Sequence, residues 1–105
     1  MSKYTVIITQ KAQNDLTSIS NYITDILNSP MAAINLELKL VESILSLEKN
    51  PYRAPLFSEK VELIPNKEIR KLIEDNYIIL FEISEMEKNV NVLTIYNRLK
   101  NTTEI

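Results

Sequence analysis

Five side chains in the second half of the chain have the types and spacing to contact an anionic or planar partner. They are Arg70, Lys71, Tyr96, Arg98 and Lys100. An arginine among strand residues usually binds a planar group, because its guanidinium donates two parallel hydrogen bonds. We expect the four cations to form a small basic cluster on one open face of a β-sheet, with the Tyr96 hydroxyl beside Arg98.

The alternative interpretation is that these cations are ordinary solvated charges of a sheet. Oppositely charged side chains often pair across neighbouring strands. The chain offers Glu68, Glu74 and Glu82 as acids for such pairs. The spacing of the residues leaves both interpretations open.

The composition excludes several kinds of catalytic site. The 105 residues include no histidine, no cysteine and no glycine. The chain can therefore form neither a Cys/His zinc site nor a nucleophile activated by histidine, and it has no glycine-rich phosphate loop. We predict no metal and no cofactor, so acid–base work would fall to a carboxylate, lysine, tyrosine or arginine.

Charge and length narrow the class of protein further. The net charge is −2 and the pI is about 5.2, whereas a protein that works on phosphate contacts is usually basic. The chain has no basic-then-apolar leader and no apolar run of about 18 residues, which predicts a soluble cytoplasmic protein that does not bind membranes. Its length predicts a single domain over residues 1–105.

Three consecutive strands must position the candidate side chains. The segment from Ile69 to Ile83 is interrupted by Asp75-Asn76, a turn pair, because short Asx side chains tolerate left-handed backbone. A second turn at 87–89 leads to the last strand, residues 90–98. The middle strand, residues 77–83, is apolar on both faces, so we expect it inside a sheet with a layer packed on at least one side.

The first half of the chain supplies that layer. Residues 3–9 alternate with the period of a strand, and Thr9 is predicted to cap the following helix. Asn28-Ser29-Pro30 ends this helix and starts a second, with Ser29 as the N-cap and Pro30 in the first turn. The apolar stripe of the first helix is Ala12, Leu16, Ile19, Ile23 and Ile26.

The second helix, about residues 30–49, carries two apolar stripes, so it packs against more than one surface. The first stripe is Ala33, Leu36, Leu40, Ile44 and Leu47, and the second is Ile34, Leu38, Val41 and Leu45. Either both stripes are internal core, or part of the second stripe or of the first helix stays open for a partner protein.

The order of elements is β-α-α-β-β-β, which predicts an α+β sandwich of two layers. The N-terminal strand joins the three-stranded meander as an added strand, and an antiparallel helical hairpin covers one face of a mainly antiparallel sheet. The opposite face stays free for solvent or a target. A long connection over residues 52–67 contains a possible short edge strand at 61–64, and residues 101–105 form a polar tail.

The chain resembles the RelE/ParE superfamily of toxins from bacterial toxin–antitoxin pairs. The ordered set of features, in a chain of this length, carries the resemblance. In chain order the features are the strand ending in Thr9, Ala12 with Asp15-Leu16, Leu47 before Asn50-Pro51, Arg70 before the strand at 77–83, and Ile95-Tyr96-Asn97-Arg98.

The resemblance implies a RelE/ParE-like fold and a growth-inhibiting toxin of a type II toxin–antitoxin system, neutralised by a cognate antitoxin. The ParE-like branch blocks DNA gyrase. The RelE-like branch cleaves messenger RNA inside the ribosome, without metal, through lysines, arginines and a late tyrosine. A third possibility is a degenerate member that only binds its antitoxin.

Carried over residue by residue, the match to the nuclease branch is partial. That branch has an arginine directly after the strand tyrosine, where this chain has Ile78, and Lys71 matches only one of its two lysines. The basic residue near the end of the last strand corresponds to Arg98 or Lys100. Tyr96 departs from the ParE-like pattern, which often has histidine at this position. The late tyrosine of the nuclease branch has no counterpart, and because several residues of that branch are missing we favour the ParE-like branch.

We expect the antitoxin to lie along the helical hairpin with apolar side chains, as a helix or an extended segment. Toxin and antitoxin would then form a hetero-oligomer. The expected contacts are Leu16, Ile19, Ile23, Ile34, Leu38, Val41 and Leu45.

Overall fold

The structure is a computed structural model that describes residues 3–57 and 68–99. Three features named in the sequence analysis lie outside these residues: the possible edge strand at 61–64, Lys100 and the tail at 101–105. The elements are β1 (Thr5–Ile8), α1 (Gln10–Asn21) with a π-helical turn (Tyr22–Ile26), α2 (Pro30–Leu45) with 3-10 turns (Ser46–Glu48 and Pro51–Arg53), β2 (Arg70–Glu74), β3 (Tyr77–Ser84) and β4 (Asn89–Asn97).

The strands form one sheet in the order β1-β4-β3-β2. The meander β2-β3-β4 is antiparallel, and β1 lies parallel to β4 at the edge. The N-terminal strand therefore joins beside the meander as predicted. Asp75 has φ 58° in the first turn, as expected for that position, and Lys88 has φ 56° in the second.

Both helices pack on one face of the sheet, which confirms the predicted two-layer α+β fold. Leu16 of α1 and Leu40 of α2 lie in one buried cluster with Phe81 of β3. The rest of this cluster is Ala12, Ile44, Leu47, Ala54, Ile79, Val90, Val92 and Ile95. Because residues paired across strands share a face, the register identifies which other side chains lie on the helix-covered face and which lie on the helix-free face.

Strand β4 contains a bulge that keeps its apolar side chains in phase with the core. Leu80 is paired with Thr94 and Phe81 with Val92, so Leu93 has no partner of its own in β3. Val92 and Ile95 are both buried in the core, although they are three residues apart. A regular strand would turn one of them outward, and the extra residue corrects the alternation.

The first helix departs from its predicted stripe at its C-terminal end. The amide of Leu27 donates to the carbonyl of Tyr22, five residues back, as in a π-helix. Each residue then turns the helix by less than 100°, so the stripe drifts out of line with the core. Ile23 is buried but Ile26 is 65% exposed, so the last residue of the predicted stripe lies outside the core.

The second helix begins at the predicted place, with Pro30 in its first turn and Ser29 at the N-cap position. The Ser29 side chain makes no capping hydrogen bond, contrary to the sequence prediction. The first stripe is buried, as Leu40 and Ile44 illustrate, whereas the second stripe is largely exposed. The interpretation that both stripes are internal was wrong, because no further layer of the described chain covers the outer side of α2.

Candidate functional site

Among the described residues, a row of exposed apolar side chains runs along α2. Ile34, Leu38 and Leu45 are 53%, 59% and 48% exposed, and half-buried Val41 lies between the last two along the chain. We call these four residues the α2 stripe. Their spacing of four, three and four residues places them on one side of the helix, over a length of about 16 Å.

The apolar surface continues around the end of the helical hairpin. Ile26, Leu27 and Met31 are all more than half exposed there. Asn28 takes φ 54° between them, which reverses the chain after the π-helical turn. A contiguous exposed apolar patch on a small protein usually marks an interaction site rather than a solvated surface.

The side chains of α1 contribute less to this surface than the sequence suggested. Leu16 and Ile23 are each 8% exposed and pack inward, because the apolar stripe of α1 faces the sheet. Ile19 is half-buried and lines a small cleft of about 180 Å³ with Tyr22 and Tyr77. The accessible part of the expected antitoxin site therefore lies on α2.

The expected basic cluster is divided between the two faces of the sheet. Arg70 is paired with Phe81 of the core, so it lies on the helix-covered face, whereas Lys71 is paired with Leu80 on the other. The Arg70 guanidinium donates to the carbonyl of Ala54 at 2.7 Å and lies 5.0 Å from the centre of the Tyr52 ring. Adjacent strand residues point to opposite faces, so the sequence alone could have shown that Arg70 and Lys71 do not share a face.

The remaining candidates lie toward the far end of β4. Tyr96 is half-buried and paired with Ile78, on the same helix-free face as Lys71. Arg98 is exposed one residue beyond β4, where its amide donates to the carbonyl of Asn76 at 2.9 Å. Strand β3 lies between Lys71 and Arg98, and strand spacing and rise place their backbones about 15 Å apart. The described cations therefore do not form one compact site.

A polar cluster that the sequence analysis missed surrounds Glu85 in the β3–β4 turn. The hydroxyls of Tyr4 and Tyr52 both donate to Glu85 Oε2 at 2.5 Å. Lys88 donates to Glu85 Oε1 at 2.9 Å and lies 5.0 Å from the centre of the Tyr4 ring. The contacts join positions 81 and 33 residues apart, and no local sequence pattern signals pairs of that kind.

These contacts shift the pKa of each partner in a consistent direction. The hydrogen bonds from Tyr4 and Tyr52 lower the pKa of Glu85 to about 2. The hydrogen bond to Glu85 raises the pKa of Tyr52 to about 12 and also raises that of Tyr4. The cluster thus fastens the start of β1, the loop after α2 and the β3–β4 turn to one another through a carboxylate that stays ionised.

Two other kinds of site find no support in the described part of the chain. Residues 3–57 and 68–99 contain no group of three or more carboxylates placed to hold a metal ion. Within the same residues, neither helix has the length and apolar character needed to cross a membrane.

The described residues form a two-layer α+β fold with an exposed apolar row along α2. The chain matches the family model of the ParE toxin of the type II toxin–antitoxin system, parDE, over residues 6–101. It therefore belongs to the ParE toxin family, and the resemblance drawn from the sequence is confirmed. A search of curated proteins found no matching sequence.

Solved structures of toxin–antitoxin proteins share the fold. The chromosomal ParDE system from P. aeruginosa is 21% identical with a TM-score of 0.73, covering 90% of this chain and 96% of that chain. The toxin–antitoxin complex RelBE2 from Mycobacterium tuberculosis is 21% identical with a TM-score of 0.67, over 93% and 94%. The archaeal RelE–RelB complex from Pyrococcus horikoshii is 17% identical with a TM-score of 0.59, over 91% and 96%.

Proposed function

We propose that this toxin inhibits growth by binding DNA gyrase in the cytoplasm, and that a cognate antitoxin neutralises it by docking on the α2 stripe. The observation that carries the antitoxin part is the half-exposed row of Ile34, Leu38 and Leu45 on a helix whose opposite side is buried. Burying the exposed half of each side chain contributes about 1 kcal/mol of binding free energy per residue.

The similar structures support an antitoxin as the occupant. Two of them are named as complexes, RelBE2 from M. tuberculosis and RelE–RelB from P. horikoshii, and a third as a ParDE system. Each is similar to this chain over at least 90% of its length. A helix or extended segment with apolar side chains, laid along α2, fits a groove-type mode of peptide recognition.

The helix-free face favours protein binding over RNA cleavage as the toxic activity. Cleavage by attack of a 2′-hydroxyl needs several donors around one phosphate, and loss of one such donor costs about 100- to 1000-fold in rate. Ile78 occupies the position of an arginine in the nuclease branch, and Lys71 lies about 15 Å from Arg98 by strand geometry. A ribosome-dependent endoribonuclease remains the second candidate because Lys71 and Tyr96 share this face.

Induced expression of the chain, with and without the product of the neighbouring gene, tests the proposal. We expect growth arrest with loss of plasmid supercoiling and intact transcripts, and rescue by the neighbouring product. Transcript cleavage would establish the nuclease instead. Harmless expression together with a tight complex would identify a degenerate member that only binds its antitoxin.

A substitution on α2 tests the docking surface in the same experiment. Leu38→Glu should leave growth arrest intact but weaken rescue, because it introduces a charge into the apolar contact. Lys39→Glu is the matched control, since Lys39 is exposed on the same helix but outside the α2 stripe. Equal rescue of both variants would show that the antitoxin docks elsewhere.

A further inference from the structure

Two carboxylates border the α2 stripe. At 100° per residue, Glu37 and Glu42 lie on opposite sides of the line through Ile34, Leu38 and Leu45. Both side chains are exposed, and neither takes part in a hydrogen bond or an ion pair within the described residues. The apolar row is thus bounded by negative charge on both sides.

The one positive charge of α2 lies outside this border. Lys39 is the one cation in the sequence of α2, and it lines a shallow hollow with Asn35 and with Asp75 of the β2–β3 turn. By the same helical geometry, Lys39 lies farther around the helix from the α2 stripe than Glu42 does, so it does not enter the apolar row. A docked segment would meet apolar side chains at its centre and carboxylates along both margins.

We propose that the α2 stripe receives an amphipathic helix whose apolar row is flanked by lysine or arginine on both sides. Apolar residues spaced three and four apart on the docking helix would match the row from Ile34 to Leu45. Its flanking cations would pair with Glu37 and Glu42. About twelve residues of helix cover the 16 Å length of the stripe. The inference rests on the proposed function, since the helix belongs to the antitoxin, and it specifies the chemistry of that partner.

Charge also argues against a second copy of this chain as the occupant. Two α2 stripes packed face to face would place Glu37 and Glu42 of one copy along the margins occupied by the same two acids of the other. Like charges held together at an interface weaken association. A basic helix removes this repulsion and turns each margin into an attractive contact.

Two synthetic helical peptides of equal length and identical leucine spacing test the proposal on the purified chain. One carries lysine on both flanks and the other glutamate, and binding is followed by fluorescence anisotropy of a labelled peptide. We expect the lysine peptide to bind at least about tenfold more tightly at low salt. The difference should largely vanish in about 1 M salt, where the screening length is about 3 Å.

Charge-reversal variants assign the effect to the two acids. Glu37→Lys and Glu42→Lys should each weaken binding of the lysine peptide and strengthen binding of the glutamate peptide. Glu87→Lys is the matched control, because it makes the same charge change in the exposed β3–β4 turn, away from α2. Circular dichroism confirms that each variant is folded before binding is compared.

Three results would overturn the inference. They are equal binding of the two peptides, equal effects of Glu42→Lys and Glu87→Lys, and self-association of the chain that is lost in Leu38→Ser. None of these depends on toxicity, which the growth experiment measures separately. A toxin that arrests growth but shows no peptide preference would retain the proposed function and lose this docking chemistry.

Discussion

The carboxylate of Asp15 in α1 lies 2.6 Å from the hydroxyl of Thr94 in β4. The same oxygen accepts the amide of Ile95 at 3.0 Å, while Lys11 donates to the other oxygen at 2.8 Å. Strand β1 pairs with β4 only as far as Ile8, opposite Val92. Asp15 therefore supplies an acceptor to β4 just beyond the end of its neighbouring strand, which gives a structural role to one of the positions that carry the family resemblance.

Replacing Asp15 by alanine should lower the free energy of unfolding by about 2 kcal/mol, the usual effect of removing hydrogen bonds to a charged group. Urea denaturation followed by circular dichroism measures this. Asp25→Ala is the control, since Asp25 is an exposed acid of the adjoining π-helical turn. Similar stability of the two variants would show that the contact to β4 contributes nothing.

Substitutions of Leu40 and Leu38, on the same helix, should affect stability and binding separately. Leu40→Ala should cost about 3 kcal/mol, because Leu40 is fully buried against the sheet. Leu38→Ala should change stability by no more than about 0.5 kcal/mol yet weaken the complex with the antitoxin. Urea denaturation and calorimetric titration give the two quantities, and a destabilised Leu38→Ala would contradict the exposed position of this residue.

Removing the charge of Glu85 should change the titration of Tyr52. The hydrogen bond to Glu85 raises the pKa of Tyr52 from 10 to about 12, so Glu85→Gln should return it toward 10. Absorbance of tyrosinate against pH measures the shift. Glu87→Gln, in the same turn, is the control and should leave the titration of Tyr4 and Tyr52 unchanged.

The same cluster predicts how stability depends on pH. A raised tyrosine pKa contributes stability that is complete below pH 10 and is lost as the pH rises through about 12. A lowered carboxyl pKa contributes stability that is present above pH 4.5 and is lost as the pH falls toward about 2. Both dependences should be weaker in Glu85→Gln, and an unchanged profile would contradict the linkage.

Arg70 and Arg98 should respond differently to the same substitution. Arg70→Ala removes a hydrogen bond to Ala54 and the stacking on Tyr52, which should cost about 1–2 kcal/mol of stability. Arg98→Ala should change stability by at most about 0.5 kcal/mol, because this residue is exposed. If Arg98 contacts the cellular target, Arg98→Ala should abolish growth arrest although the variant remains folded.

Arg70→Lys is the control for Arg98→Ala. The lysine keeps the charge and part of the stacking on Tyr52, so Arg70→Lys should be more stable than Arg70→Ala and should leave the target contact unaffected. Growth arrest that survives Arg98→Ala at wild-type protein levels would remove Arg98 from the candidate site.

The fold could be predicted because its signals are local. Alternation in β1 and β3, the Thr9 cap, and the turn at Asp75 each depend on neighbouring residues, and their order leaves few ways to form a sheet. The Thr9 hydroxyl does accept the amide of Ala12 at 3.3 Å, as a cap should. The resemblance to a toxin family also implied how these elements are arranged in the fold.

The candidate site was harder to predict because it depends on relations between distant segments. Periodicity revealed two stripes on α2, but only the position of the sheet decides that Leu40 is buried and Leu38 is exposed. The π-helical turn that releases Ile26 has no sequence signal that we could use. The Glu85 cluster depends on Tyr4 and Tyr52, which reach it from other elements of the fold.

The molecule is only 21 Å across its shortest dimension. That thickness corresponds to one helical layer and one sheet, so Leu38 and Lys71 lie on opposite surfaces of the molecule. A ligand confined to the helical side would leave the reverse side uncovered. An inhibitor that blocks target binding on that reverse side must therefore be a polypeptide long enough to pass around the edge of the sheet. Otherwise the toxin binds inhibitor and target at the same time, in a three-component assembly.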